Sequence, residues 1–201
     1  GTKLASVNKR NLVQFGKKET SLKLDNVSFN YDKKSGINKV SFELYKGTLT
    51  ALTGPSGAGK STILELCSGL LSPSGGTISC TVNTRPVLTQ QNSQAALFET
   101  FAEDDVAFGP RNKGVKGQEL INIVKESMDA AYIPFEKYSG RHTFELSGGE
   151  QRRLAIAGIL AMKPEIMVLD EPTAGLDPQE RRQFLRILQK SKKDRIILLA
   201  T

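Results

Sequence analysis

The chain has 201 residues, of which 38% are hydrophobic and 24% charged, a balance that fits a globular domain with a substantial core rather than a disordered or fibrous chain. No run approaches the roughly 18 consecutive apolar residues needed to cross a bilayer, and the charged N-terminus lacks the apolar stretch of a secretory leader, so neither is expected. The net charge of +7 is lopsided: residues 1–18 hold five basic and no acidic residues, leaving 23 basic against 21 acidic residues elsewhere, too even a body to offer nucleic acid a basic face.

In chain order, residues 1–20 read as a basic arm or linker, either solvated or touching anionic lipid headgroups. Residues 22–31 alternate apolar and polar, with a slip at Asp25-Asn26, and predict a half-buried strand; residues 40–45 predict another, an antiparallel edge. Residues 49–53 predict a short buried strand leading into a glycine-rich loop over 54–59. A helix follows, with Ile63, Leu64, Leu66, Cys67, Leu70 and Leu71 on its apolar face, ended by residues 73–76. Strands are expected over 77–82 and 86–89, then a helical insert over 103–145 broken at Gly109-Pro110, Gly114, Gly117 and Pro134. Ser147 opens a helix running to Met162. A buried strand over 165–169, an amphipathic helix over 178–190 and a buried strand over 195–200 complete the pattern. Buried strands separated by helices indicate a parallel α/β sheet. Cys67 and Cys80 fit neither a metal knuckle nor a redox pair and read as two buried, reduced thiols of a cytosolic protein.

Three segments carry chemistry. Gly54-Pro55-Ser56-Gly57-Ala58-Gly59-Lys60-Ser61 fits G-x-x-x-x-G-K-[ST], a loop whose backbone N–H groups cradle phosphate oxygens at a helix N-terminus. There Lys60 reaches the β- and γ-phosphates, Ser61 sets its hydroxyl on Mg²⁺, and Thr62 bonds the α-phosphate. Residues 165–171 form an apolar run ending in Asp170 and Glu171. At the carboxyl edge of a parallel sheet these suit a metal ligand and a group that polarises the attacking water. Finally, Leu146-Ser147-Gly148-Gly149-Glu150-Gln151 contains a capping box, Ser147 with Glu150, plus two glycines that capping does not need. A bare helix start with a serine hydroxyl is a second anion site.

These motifs, in this order, resemble the ABC ATPase family over residues 22–201: the phosphate loop resembles its Walker A motif, LSGGEQ its signature, IMVLDE its Walker B motif, and Thr173-Ala174-Gly175-Leu176-Asp177 its D-loop. The resemblance implies a P-loop NTPase with a RecA-like parallel core sheet, an N-terminal antiparallel β subdomain and an inserted helical subdomain. The expected division is a β subdomain and phosphate-loop core over 21–91, a helical part over 92–145, and a signature, Walker B and D-loop part over 146–201. The family's aromatic that stacks on adenine matches Tyr31, for which strand-end packing is the other reading. Its Q-loop glutamine, which senses Mg²⁺ and the transport partner, matches Gln91, with Gln90 one residue away. The implied ligands are ATP and Mg²⁺, the metal held by Ser61, Gln91 and Asp170. Lys60, Gln91, Asp170 and Glu171 are the catalytic set, and Gly54 to Thr62, Ser147, Gly148, Gly149, Glu150, Asp177 and Tyr31 the nucleotide-binding set.

The implied mechanism pairs two such domains head to tail, as a homodimer or with a paralogue, each ATP lying between one Walker A loop and the other domain's Ser147 and Gly149. Residues 103–110, Glu-Asp-Asp-Val-Ala-Phe-Gly-Pro, resemble the ATPases of energy-coupling-factor and cobalt/nickel importers, which take up vitamins or metal ions. That implies a transmembrane partner docking along residues 92–105, a place on the cytoplasmic face of the membrane, and no nucleic-acid partner. Glu103, Asp104 and Asp105 either pair with partner arginines or form a solvated helix start. Alternatives are a soluble ABC ATPase acting on nucleic acid or the ribosome, and a domain that binds without turnover. The family's histidine after the last strand has no counterpart, since the sequence stops at Thr201, so a C-terminal truncation is expected; His142, just before the signature, reads as a surface or hinge residue.

Overall fold

A computed structural model describes residues 12–15, 20–32, 35–82, 84, 86–89 and 97–201, with side chains described from residue 22 onward. The chain divides into two compact units, one of Gly1–Gln91, Glu165–Ala174 and Ser191–Thr201, the other of Asn92–Pro164 and Gly175–Lys190.

The first unit holds two sheets. In the larger, β1 (Leu12–Phe15), β4 (Leu49–Leu52), β8 (Ile196–Ala200), β7 (Ile166–Asp170) and β6 (Val87–Thr89) lie side by side in that order. The last four are parallel, and β1 runs antiparallel to β4, with Leu12 opposite Leu52. Every residue of β8 and the first four of β7 are buried, which is why both read as unbroken apolar runs. The arm expected over residues 1–20 is corrected at residues 12–15: a four-residue strand is too short for its alternation to stand out among basic neighbours.

The smaller sheet is antiparallel, in the order β3 (Gly36–Tyr45), β2 (Thr20–Asn30), β5 (Gly75–Cys80). Leu22, Leu24 and Val27 on β2 face Leu44, Phe42 and Val40 on β3, and all six are buried. The slip at Asp25-Asn26 is a bulge: the register shifts between Leu24 and Val27, and Asn26 adopts φ 50°. Gly76 lies against this bulge, where a Cβ would strike the Asp25 and Asn26 carbonyls. Helix α1 (Lys60–Ser68) buries Thr62, Ile63, Leu64, Leu66 and Cys67 in one core with β2, β3, β7 and β8. Each fully buried Leu or Ile there contributes about 1.5–3 kcal/mol. The helix stops earlier than expected, at Gly69 with φ 76°, so Leu70 is 66% exposed rather than on the apolar face.

The second unit is helical: α2 (Ala102–Asn112), α3 (Gly117–Ala130), α4 (Phe135–Tyr138), α5 (Gly148–Ala161) and α6 (Pro178–Ser191). Ala102, Val106, Val124, Met128, Ile133, Leu154 and Ala157 form its core. The expected break at Gly109-Pro110 does not occur. Pro110 sits in the last turns of α2, and Gly109 stays because a Cβ would collide with the Met162 side chain. Asp105 is buried and accepts the backbone N–H groups of Phe98 (2.9 Å) and Glu99 (3.1 Å), while Asp104 pairs with Arg111 at 2.9 Å. Of the three acids offered to partner arginines, two are therefore engaged within the unit. Burial pushes the Asp105 carboxyl up, against the pull of its two N–H donors.

Candidate functional site

The loop between β4 and α1 is shaped by two glycines. Gly57 has φ 76° and nothing near its absent Cβ, so conformation alone selects it. Gly59, the N-cap of α1, has φ 83°, and a Cβ there would come within 2.7 Å of Ile37 Cγ2. The Ala58 N–H closes the turn onto Pro55 O at 3.2 Å. Lys60 folds back over the loop, its ammonium donating to the carbonyls of Gly54 (2.8 Å) and Pro55 (3.2 Å). The ammonium thus stands above the turn, while the orphan N–H groups of α1 make its start a positive end.

Asp170 ends β7 and pairs in register with Ala200 of β8. Glu171 then departs from the strand with φ 43°, a left-handed conformation rare for a side chain that is not glycine. Its backbone is held on both sides: its N–H donates to Ala200 O (3.2 Å), and its carbonyl accepts from the Ala174 N–H (3.1 Å). This turn carries Glu171 into a cavity of about 250 Å³ shared with Ser56, Gly57, Gly59, Lys60, Ser61, Thr62, Tyr31, Ser35 and Gly36. Asp170 is not among the lining residues. Tyr31, 58% exposed, stands just past the end of β2, its ring edge-on to Phe29 at 4.9 Å. Its hydroxyl bonds the Thr62 hydroxyl (3.2 Å) and donates to Glu65 Oε2 (3.1 Å). A cation, an anion, four serine and threonine hydroxyls, a helix start and an exposed ring around one hollow can hold a nucleoside triphosphate.

In the helical unit, Ser147 caps α5 as its pattern predicts. Its hydroxyl accepts from the Glu150 N–H (3.3 Å), and Glu150 Oε2 accepts from the Ser147 N–H (2.8 Å). The Tyr138 hydroxyl donates to Glu150 Oε1 at 2.7 Å. That bond, with the Ser147 N–H, holds the Glu150 carboxyl below its usual range. Gly149 makes room for the Glu180 carboxylate, which occupies the place a Cβ would take. Asp177 caps α6, its Oδ1 accepting from the N–H groups of Gln179 (2.7 Å) and Glu180 (2.8 Å).

The sequence profile of the ABC transporter family matches residues 37–174, more than half of the chain. The chain belongs to the ABC transporter family. It is an ATP-binding, ATP-hydrolysing domain of that family. It is 36% identical, over 90% of its length and 70% of the relative's, to the energy-coupling factor transporter ATP-binding protein EcfA2 of Clostridium perfringens. It is 41% identical to the protein of the same name in Streptococcus pneumoniae, over 83% of this chain and 67% of that one. Among solved structures, cbiO1 of Clostridium perfringens, described as part of the ABC transporter complex cbiONQ, superposes with a TM-score of 0.82 at 30% identity, covering 91% of this chain and 79% of that one.

Of the residues singled out for this ABC domain, Tyr31, Ser56, Gly57, Gly59, Lys60, Ser61, Thr62 and Glu171 line one cavity. Gly54, Pro55 and Ala58 belong to the loop beneath it. Ser147, Gly148, Gly149 and Glu150 form the start of α5. Gln90 and Gln91 lie outside the described residues, as do residues 92–96 of the expected docking surface. His142 stacks between Phe101 (4.8 Å) and Phe144 (5.1 Å), a packing role. Sequence reasoning missed three residues. Glu65 and Tyr138 meet their partners only through the fold, and nothing in the local pattern marks them. Glu180 carried a faint signal, an acid in the first turn of a capped helix.

Proposed function

We propose that the cavity binds Mg-ATP and that the domain hydrolyses it while paired with a second ABC domain, a copy of this chain or a paralogue. The observation that carries this reading is the common lining of Lys60, Ser61 and Glu171. Lys60 exchanges its two loop carbonyls for β- and γ-phosphate oxygens, neutral acceptors for anionic ones. Glu171 orients and polarises the attacking water, and its turn off β7 fixes where that water lies. Tyr31 offers its ring to the adenine.

Among the described residues no three His, Cys, Asp or Glu side chains gather as a metal site. A donor set of one hydroxyl, Ser61, and one carboxylate, Asp170, with Gln91, suits Mg²⁺ that shares the nucleotide's phosphate oxygens. The ion's part is to neutralise charge developing on those oxygens. The start of α5, with Ser147 and Gly149, faces the γ-phosphate held by the partner domain, so that two helix termini meet one phosphate and closure excludes water.

No helix among the described residues is long and apolar enough to cross a membrane. With relatives named as energy-coupling factor ATP-binding proteins, this supports a peripheral subunit on the cytoplasmic face of the membrane that powers uptake of a vitamin or metal ion through a transmembrane partner. The test is Glu171→Gln in the full-length protein. ATP binding is kept, phosphate release falls by at least about 100-fold, and an ATP-bound dimer accumulates on gel filtration. Phosphate release at the native rate removes Glu171 from this role.

A further inference from the structure

Tyr31 is tied to α1 more firmly than an exposed strand-end aromatic requires. The residue is 58% exposed, yet its hydroxyl reaches two side chains on one face of α1, Thr62 at 3.2 Å and Glu65 at 3.1 Å. These residues are three apart and therefore neighbours on the helix surface. The ring is braced a second time by Phe29, edge-on at 4.9 Å with the planes 81° apart. Glu65 lies one turn beyond the phosphate loop and does not line the cavity, so it acts on a nucleotide only through Tyr31.

We propose that Glu65 is a positioning residue: its carboxylate, with the Thr62 hydroxyl, locks the Tyr31 ring in the orientation that receives the base. This rests on the reading of the cavity as an ATP site with Tyr31 as its base platform. An exposed aromatic ring samples several rotamers, and a ligand that needs one of them loses affinity by the fraction of time the ring is elsewhere. A hydroxyl donating to a carboxylate makes a charge-assisted bond, about twice as strong as a neutral one. That anchor and the neutral one to Thr62, on a helix that itself starts at the phosphate loop, fix the distance between base platform and phosphate cradle. Thr62 joins the two ends. It follows Ser61 in the loop motif, and its hydroxyl holds the tyrosine. The device is specific to the base end of the ligand, because a bare triphosphate never meets the ring.

The experiment compares binding of ATP and of inorganic tripolyphosphate to the full-length protein by calorimetry, for Tyr31→Ala, Tyr31→Phe, Glu65→Leu, Glu65→Gln and the Tyr31→Phe, Glu65→Leu pair. Glu65→Leu weakens ATP about fivefold and leaves tripolyphosphate unchanged. Glu65→Gln, which keeps an acceptor oxygen, recovers part of the loss. The double variant is no worse than Tyr31→Phe alone, since both remove one bond. If Tyr31→Ala weakens ATP but Glu65→Leu does not, the platform stands and the positioning role is overturned. If Tyr31→Ala leaves ATP affinity unchanged, the platform reading fails and the proposal with it. If Glu65→Leu weakens both ligands alike, Glu65 supports the loop as a whole and the proposal is overturned. A melting temperature for each variant separates misfolding from these outcomes, and the Glu65→Gln variant decides the matter if Glu65→Leu does not fold.

Discussion

Ser147 caps α5 and, in the proposed function, faces a phosphate; one substitution pair separates the two roles. As N-cap of α5 its hydroxyl accepts the Glu150 N–H, one half of a reciprocal pair. Ser147→Ala removes that half and costs about 1 kcal/mol, a fall in melting temperature of about 2–4 °C for a chain of this size. Ser147→Asp keeps an acceptor oxygen and adds a negative charge at the positive end of α5, worth about 0.3–1 kcal/mol. The nearby Glu150 carboxylate offsets part of this gain, so Ser147→Asp melts within about 3 °C of the native protein. Hydrolysis responds in the opposite sense. An added negative charge about 4 Å from a phosphate, at an effective dielectric of about 20, repels it by about 4 kcal/mol, roughly a thousandfold in rate. Scanning calorimetry and phosphate release from the full-length protein give the two readouts. If Ser147→Asp hydrolyses ATP at the native rate, the serine is a cap and nothing more, and the account of the α5 start as a phosphate-facing surface is wrong.

Other substitutions test other parts of the site. Gly59→Ala forces a side chain into φ 83° and against Ile37 Cγ2 at 2.7 Å; the left-handed cost alone is about 1–2 kcal/mol, and ATP affinity, read by calorimetry, falls as the loop shifts. Tyr138→Phe removes the largest influence holding the Glu150 carboxyl low. A carboxyl depressed in the folded state contributes stability that is present above its unfolded pKa and lost as pH falls through the folded value. The variant therefore shows a shallower loss of stability on acidification than the native protein, measured by denaturant melts across that range. Burial pushes the Cys67 thiol up to about 12, whereas Cys80, expected to be buried as well, is exposed at the end of β5. A thiol reagent at neutral pH thus modifies one cysteine per native chain and two after denaturation, counted by mass spectrometry.

Much of the site was legible because its chemistry is local. A phosphate loop, a capping box and an acidic strand end are contiguous patterns, and the structure places Lys60, Ser61 and Glu171 around one hollow. Strands β7 and β8 were legible because both faces are buried, and the bulge in β2 showed as a slip in alternation. What was not legible depends on tertiary partners. Gly109-Pro110 read as a break, yet the glycine answers to Met162 and the proline fits the last turns of α2. The two glycines after Ser147 read as unneeded for capping, and nothing local announces that the Glu180 carboxylate stands where a Gly149 Cβ would lie. The resemblance puts Asp177 in the nucleotide-binding set but does not announce that its carboxylate also caps α6. Leu70 read as core because apolar periodicity alone does not announce that a glycine has already turned the chain.

With Glu171 as the water-polarising acid of the proposed function, its left-handed backbone sets activity against stability at a single position. An L-residue at φ 43° carries a conformational penalty of about 1–2 kcal/mol that glycine avoids and asparagine lessens. Random change at this codon is therefore rewarded thermodynamically in the direction that abolishes the acid. Disarmed descendants of the domain, able to hold nucleotide but not to cleave it, would be sturdier than their parent. Only selection for turnover keeps a glutamate there, and an assembly that needs just one working hydrolytic centre could let the other decay along this downhill path.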